Sequence, residues 1–277
     1  MSKAVMRAPV SVIIPCYRCA GTIGRAVNSV MLQKLLPEEV ILIEDGSNDS
    51  GKTLAAMIQI KAAYGELPFR ILSFDKNTGP ASARNAGWGA STQPYLAFLD
   101  ADDVWHPDKL DAQYGWMASH PDVVLSGHLS QKMPLSGVMP TLPKSSGVCR
   151  VKGRSLVFTN YFFTRSVMIK REIPYRFPAA KRYAEDYWLW LTLIYSGYEA
   201  WVMNTPLAYS FKEEFGEGGL TGNLWKTQQG VLDVYRRLRQ TGHISNILFI
   251  VVSAYSLLKF VRRWILTKIR FKSSHPV

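Results

Sequence analysis

The chain has 277 residues, of which 47% are hydrophobic and 19% charged, and its formal net charge is +12. This length suits one large α/β domain with an appendage, or two small domains, and the apolar content is ample for a hydrophobic core. Nine Lys and Arg and no Asp or Glu lie in residues 234–277. A nucleic-acid-binding protein would carry a basic stripe across its body, so this confinement of charge to the tail argues against one.

Targeting and cysteine patterns add two expectations. The first nine residues are basic and lack the apolar stretch of a secretory signal, which predicts a cytoplasmic protein. Cys16 and Cys19 have the spacing of a redox or zinc pair, but no second Cys or His pair follows at zinc-finger distance. We therefore predict that both are small packed side chains.

Predicted strands and helices alternate through the first hundred residues. Short apolar, β-branched runs predict buried strands, and apolar residues at helical spacing predict helices. We expect strands at 10–15, 40–43, 69–74 and 95–99, and helices at 23–35, 52–64 and 81–90. Such alternation with short connections is typical of a mostly parallel sheet with helices on its faces.

Carboxylates follow two of these strands. Glu44 and Asp45 come after the second strand, and Asp100, Asp102 and Asp103 come after the fourth. Charge is costly inside a buried strand, so these groups are expected in the crevice beyond the strand ends, where open α/β sheets bind ligands. Asp100 and Asp102 could share one divalent cation that also holds phosphates. A turn with a helix cap is the alternative, and Asp103, or Asp108 after Pro107, could have only that role.

Two common nucleotide-binding motifs are missing from the sequence. Neither G-x-G-x-x-G nor G-x-x-x-x-G-K-[ST] occurs, which disfavours a dinucleotide-dependent oxidoreductase and a P-loop NTPase.

The second half of the chain is less regular. A helix with a turn is predicted at 111–122 and a strand at 123–129, whereas the Pro-, Gly- and Ser-rich stretch 130–154 is predicted to be a long loop. A strongly apolar helix is predicted from Arg182, with Glu185 and Asp186 near its start. Acids at a helix start are stabilised by its dipole, which is the structural alternative to a functional role.

Five segments, in this order along the chain, resemble the motifs of the family-2 glycosyltransferases, which have the GT-A fold. They are VSVIIPCY at 10–17, EDGSNDS at 44–50, NTGPASARNAG at 77–87, LDADD at 99–103 and Glu185-Asp186. Each alone is weak, but five in register are specific. The resemblance predicts a GT-A catalytic domain over 1–215, followed by a lid or linker and a basic helical segment over 216–277.

The resemblance implies that a sugar is transferred from a nucleotide-diphosphate sugar with inversion at the anomeric carbon. Pro15 and Tyr17 would line the pocket for the base, and Asp45 would accept a hydrogen bond from the base. Arg84 would hold the donor near its base or diphosphate. An exposed arginine on a helix surface is the alternative reading of Arg84.

The same resemblance assigns the remaining site residues. Asp100 and Ala101 would contact the donor, and Asp102 would bind Mg²⁺ or Mn²⁺, which neutralises charge on the leaving nucleoside diphosphate. Asp186 would be the general base that takes the acceptor proton, and Glu185 would orient the acceptor. The acceptor would be a glycan or a lipid-linked chain, as in polysaccharide or lipopolysaccharide biosynthesis.

The C-terminal part carries two further expectations. We interpret the Gly-rich, acidic stretch 213–223 as an active-site lid, with a plain linker as the alternative. Relatives often have a His or Arg facing the diphosphate here, where this chain has Lys212 and Lys226. A helix is predicted at 225–240.

The apolar run at 247–258 is followed by alternating basic and apolar residues. A spanning helix needs about 20 apolar residues, and extending this run to that length would include Lys259, Arg262 and Arg263. A helix lying on the cytosolic face of the inner or plasma membrane is therefore favoured. Docking on the catalytic domain or on a partner, and spanning of the bilayer, are the alternatives.

One competing function keeps the fold and changes the chemistry. A nucleotidyltransferase that makes sugar nucleotides would show a Gly-rich, Arg- or Lys-containing phosphate loop after the first strand. The sequence CYRCAG at 16–21 does not fit that pattern.

Overall fold

The computed structural model describes residues 6–65, 68–134, 136–143, 147–179, 181–212 and 222–274. The strands within these ranges are β1 (Arg7–Cys16), β2 (Leu36–Asp45), β3 (Phe69–Phe74), β4 (Tyr95–Phe98), β5 (Asp103–Trp105), β6 (Val123–Lys132), β7 (Val148–Arg150), β8 (Met168–Lys170) and β9 (Glu199–Ser210). The helices are α1 (Ile23–Met31), α2 (Lys52–Ala63), α3 (Pro80–Ala90), α4 (Lys109–Ser119), α5 (Gly153–Leu156), α6 (Glu185–Tyr195), α7 (Leu224–Gln240) and α8 (Asn246–Ser274).

All the strands belong to one mixed sheet. Its order is β3-β2-β1-β4-β8-β6-β9-β5, and β7 pairs with β9. The first four strands in this order are parallel, with Pro15 opposite Ile43 and Ile13 opposite Phe98. The predicted parallel arrangement is confirmed for this half, and β1 and β2 extend beyond their predicted limits.

Small residues let α3 pack directly on the sheet. A Cβ on Gly87 would lie 2.6 Å from the Ile13 side chain and 2.9 Å from that of Ile43. Because only glycine leaves room for this close approach, Gly87 allows α3 to lie directly against β1 and β2. Cys16 and Cys19 are free thiols and both are buried, as predicted.

The other half of the sheet departs most from the sequence-based expectations. The predicted loop at 130–154 is wrong at both ends, because β6 continues to Lys132 and Val148–Arg150 forms β7. The strand β9 was not predicted. Its Pro206 would disfavour a strand, yet the β6–β9 pairing shifts register on either side of Leu129, the partner of Pro206. That irregularity accommodates a residue without an N–H donor.

Three helices, α6, α7 and α8, lie in the last part of the chain. The helix α6 begins at Glu185, three residues after its predicted start, and its Tyr187 and Trp190 are buried core residues. Residues 213–221 of the predicted lid lie outside the described residues. Among the described helices, none combines the length and apolar character needed to cross a bilayer.

Candidate active site

The carboxyl ends of β1, β2 and β4 meet at one edge of the sheet. The backbone N–H of Arg18 donates to Ser47 Oγ over 2.9 Å, which ties the loop after β1 to the turn after β2. Pro15 is half-buried at the end of β1, and Tyr17 is 45% exposed in the next loop. The structure therefore brings Pro15 and Tyr17 to the same edge as the Asp45 turn.

Asp45 at the end of β2 is buried and fully engaged within the protein. Its Oδ1 accepts from Thr78 N at 2.7 Å and Thr78 Oγ1 at 2.9 Å. Its Oδ2 accepts from Asn77 Nδ2 at 2.8 Å and Gly79 N at 2.9 Å. A buried carboxylate needs such partners, and these bonds fix the loop that leads into α3.

Gly46 allows the turn after β2 to lie against the loop between β3 and α3. Its φ is +58°, and a Cβ would lie 2.2 Å from the carbonyl carbon of Lys76. A side chain would therefore clash with backbone that cannot swing away, and the left-handed conformation adds to the cost.

Arg84 on α3 joins the two acidic segments of the site. It is 5% exposed, so the alternative of an exposed surface arginine is wrong. Its Nη2 donates to Asp100 Oδ1 and its Nη1 to Glu185 Oε1, each over 2.9 Å. One guanidinium thus connects the turn after β4 with the start of α6, and Asp186 lies close enough to add to its electrostatic environment.

The turn after β4 is more open than the Asp45 turn. The side chains of Asp100 and Asp102 are 30% and 33% exposed, and Ala101 between them is buried. Lys212 Nζ pairs with Asp102 Oδ2 at 2.7 Å, and Arg25 Nη2 donates to the Asp102 carbonyl at 3.0 Å. Of the two lysines considered above, Lys212 lies at this turn and Lys226 lies in the first turn of α7.

Asp103 is held differently from its two acidic neighbours. It lies in β5, is buried, and pairs with Arg165 Nη1 at 3.3 Å. Burial raises the pKa of Asp103 to about 7, and Arg165 opposes that shift. Asp103 therefore ties β5 to the segment before β8 and is neither a ligand-facing acid nor a helix cap. The sequence offered no signal for its pairing with Arg165.

Asp186 in the first turn of α6 is oriented by short contacts. Thr164 Oγ1 donates to its Oδ2 over 3.0 Å, and the backbone N–H of Tyr187 donates to Oδ1 over 2.7 Å. The preceding Ala184 has φ +56° and ψ +31°, a costly conformation for a residue with a Cβ that is often found at functional sites. Thr164 was not among the sequence-based site residues, because nothing local marks it.

Burial changes the acidity of both carboxyl groups at the start of α6. It raises the pKa of Glu185 to about 7, with a further rise from the negative charge of Asp186. Burial also raises the pKa of Asp186, while Arg84 and the hydrogen bonds from Tyr187 and Thr164 lower it. A carboxylate with a raised pKa is a better proton acceptor near neutral pH.

The residues of the β4 turn fit a divalent cation. Asp100 and Asp102 supply hard oxygen donors, which Mg²⁺ and Mn²⁺ prefer. The described residues contain no group of three or more His, Cys, Asp or Glu arranged to hold a metal. Mg²⁺ commonly uses only one or two carboxylates, with water and substrate phosphates completing its shell, so a pair of partly exposed aspartates is sufficient.

A mixed α/β sheet flanked by helices, with carboxylates at the ends of its parallel strands, is typical of the nucleotide-binding α/β proteins. A family model described as "Glycosyl transferase family 2" matches residues 11–183. The chain belongs to this family. The predicted family is confirmed, and with it the class of transferases.

Some curated relatives match over most of their length, and AmsE is an example. The chain is 28% identical over 263 residues to the amylovoran biosynthesis glycosyltransferase AmsE of Erwinia amylovora, covering 91% of this chain and 95% of AmsE. By contrast, this chain spans only 30% and 55% of the length of two other curated relatives that it matches.

Solved structures establish the fold. S. aureus TarS 1-349 in complex with UDP-GlcNAc has a TM-score of 0.67 at 18% identity, covering 91% of this chain and 72% of that one. The mannosyltransferase PcManGT from Pyrobaculum calidifontis, in complex with GDP-Man and Mn²⁺, has a TM-score of 0.63 at 18% identity, covering 98% and 81%.

Proposed function

We propose that this chain transfers a sugar from a nucleotide-diphosphate sugar to a hydroxyl group of a glycan or lipid-linked acceptor, with inversion at the anomeric carbon. The observation that carries the proposal is the bridge formed by Arg84. It joins Asp100, on the side expected for the donor, to Glu185 beside Asp186, on the side expected for the acceptor. Polysaccharide biosynthesis in the relative AmsE supports this class of acceptor.

Asp186 is the general base in this proposal. The acceptor oxygen forms a bond to the anomeric carbon as the bond from that carbon to the diphosphate breaks, and the hydroxyl proton passes to Asp186. Inversion needs only this base opposite the leaving group, without an enzyme nucleophile. Thr164 keeps one oxygen of Asp186 in place, and Glu185 helps orient the acceptor.

The donor side carries the developing negative charge. A divalent cation at Asp102, with Asp100 nearby, supplies Lewis-acid stabilisation of the leaving nucleoside diphosphate when it is bound. Lys212 lies 2.7 Å from Asp102 and adds positive charge at the same turn. Pro15, Tyr17 and the loop held by Asp45 form the expected boundary of the base pocket.

The test is a donor panel with the purified chain, Mn²⁺ or Mg²⁺, and detection of released UDP, GDP or dTDP. With the donor that works, we expect Asp186→Asn to lower turnover by ~10³-fold, within the usual range for a lost general base. The exposed Asp122→Asn is the matched control, and it should retain wild-type turnover.

Three results would contradict the proposal. Normal turnover by Asp186→Asn would remove the base assignment. Retention of the anomeric configuration, read by NMR of the product, would exclude direct displacement. Release of no nucleoside diphosphate from any donor, by a folded chain with metal and candidate glycan acceptors, would count against glycosyl transfer itself.

A further inference from the structure

The last helix, α8, carries apolar side chains on its outward face. Ile247, Ile250 and Leu258 are 76%, 64% and 70% exposed. The same face continues through other exposed apolar residues, namely Val251, Leu257, Val261, Trp264, Ile265 and Ile269. Soluble monomers rarely expose a continuous apolar surface of this length, and such surfaces mark binding sites.

The inward side of α8 is held by polar contacts. Gln228 Nε2 on α7 donates to Ser256 Oγ over 2.9 Å, and both residues are buried. Lys259 Nζ donates to the Phe158 carbonyl over 3.0 Å, and Arg263 Nη2 to Gln228 Oε1 over 3.4 Å. These bonds fix the rotation of α8 about its axis, so its apolar face has to point outward.

This arrangement refines the expectation of an amphipathic helix. Lys259 and Arg263 do lie opposite the exposed apolar face, but both are only partly exposed and donate hydrogen bonds to the protein. Among the residues whose side chains are described, Arg262 and Lys268 are the exposed cations of α8. Attraction to an anionic surface therefore comes from fewer charges than the sequence suggests.

Charge and composition indicate what covers this face. Residues 234–277 contain no Asp or Glu, so two copies of the face would bring like charges together, whereas an anionic surface is complementary. Trp264 and Tyr255 are half-exposed, and both residue types favour the boundary between headgroups and acyl chains. The exposed stretch from 247 to 269 is about 35 Å long at 1.5 Å per residue, which suits a helix lying in the plane of a bilayer.

We infer that α8 lies in the headgroup region of an anionic lipid bilayer, with the face marked by Ile250, Leu258 and Ile265 buried in it. Insertion of apolar side chains provides most of the binding, and Arg262 and Lys268 add a smaller electrostatic part. This inference is independent of the proposed transfer reaction, because vesicle binding requires neither donor nor cation.

The test is flotation of the full-length chain with phosphatidylethanolamine vesicles that contain or lack phosphatidylglycerol. Leu258→Glu should lower the partition coefficient at least ~10-fold, since it places a charge where an apolar group would insert into the bilayer. Arg262→Gln should lower it only ~5-fold, and only on anionic vesicles. The matched control is Gln240→Glu, which adds the same acid at an exposed site on α7 and should change binding less than ~2-fold.

A second measurement does not depend on any variant with added charge. Lipids brominated on their acyl chains should quench part of the tryptophan fluorescence, and Trp264→Phe should remove that part. The inference is overturned if the chain does not float, or if Leu258→Glu floats as well as wild type. It is also overturned if light scattering shows a dimer that Leu258→Glu dissociates while neither protein binds vesicles.

Discussion

The acidic turns after β2 and β4 leave the same edge of the sheet but are built differently. Asp45 is 3% exposed, and each of its oxygens accepts two hydrogen bonds from residues 77–79. The side chains of Asp100 and Asp102 are 30% and 33% exposed and are bound by long cationic side chains, those of Arg84 and Lys212.

The difference separates two uses of the same residue type. A carboxylate whose oxygens are engaged by fixed backbone and short side chains shapes a loop, and its removal leaves buried donors without an acceptor. A partly exposed carboxylate bound by a long side chain can exchange that partner for a ligand. Substitutions in the turn after β2 should therefore mainly lower stability, whereas substitutions in the turn after β4 should mainly lower activity.

The largest effect is expected at Asp102. Asp102→Asn should reduce turnover by ~10³-fold, or roughly 4 kcal/mol of transition-state stabilisation, because the proposed cation loses its carboxylate. Its surface pair with Lys212 is worth at most ~1 kcal/mol, so the melting temperature should change little. Turnover during a Mn²⁺ titration, together with calorimetry, measures both quantities.

The comparison fails at this turn if Asp102→Asn melts much earlier than wild type, since the carboxylate would then be structural. It also fails if the variant reaches normal turnover without a higher Mn²⁺ requirement.

The second-largest effect is expected at Asp45, where substitution should lower the stability of the fold. An asparagine keeps one oxygen, so two of the four donors lose their acceptor and face an N–H₂ group instead. Asp45→Asn should lower the free energy of unfolding by ~2–3 kcal/mol, measured by urea denaturation. Asp75→Asn, at an exposed neighbouring position, serves as the control and should change it by less than ~0.5 kcal/mol.

An Asp45→Asn variant that unfolds at the wild-type urea concentration, and differs only in the donor KM, would assign Asp45 to the ligand and not to the loop.

The smallest effect is expected at Thr164, which positions Asp186. Its hydroxyl stabilises the ionised carboxylate and so lowers the pKa of Asp186. A general base works when deprotonated, so turnover falls as the pH drops below that pKa. Thr164→Val should raise the pKa and move this fall to higher pH by about one unit, or ~1.4 kcal/mol.

The pH profile of kcat measures the shift, and Thr164→Ser, which retains a hydroxyl, should restore the wild-type profile. A uniform loss of kcat at every pH, which serine does not repair, would mean that Thr164 acts only through packing.

The two halves of the sheet also differ in how well the sequence predicts them. The strands β1, β2 and β4 were recognisable because they are almost fully buried, and each therefore contains a short apolar run. The edge strand β3 is only partly buried, but it still contains enough apolar residues to be predicted. The strand β9 contains Pro206 and pairs irregularly, and β5 and β7 have three residues each. Such strands form because they pair with a neighbouring strand, and their own sequences carry no local pattern that predicts them.

Local patterns along the chain are enough to predict the alternation of strands and helices. They also predict that Asp45, Asp100 and Asp102 lie at one edge, because parallel strands point the same way. Which of these carboxylates accept hydrogen bonds within the protein, and from which partners, depends on tertiary packing. Arg84 and Glu185 are 101 positions apart, and Lys212 and Asp102 are 110 apart. Contacts at such separations depend on how the whole chain packs, and packing also turned the apolar face of α8 outward.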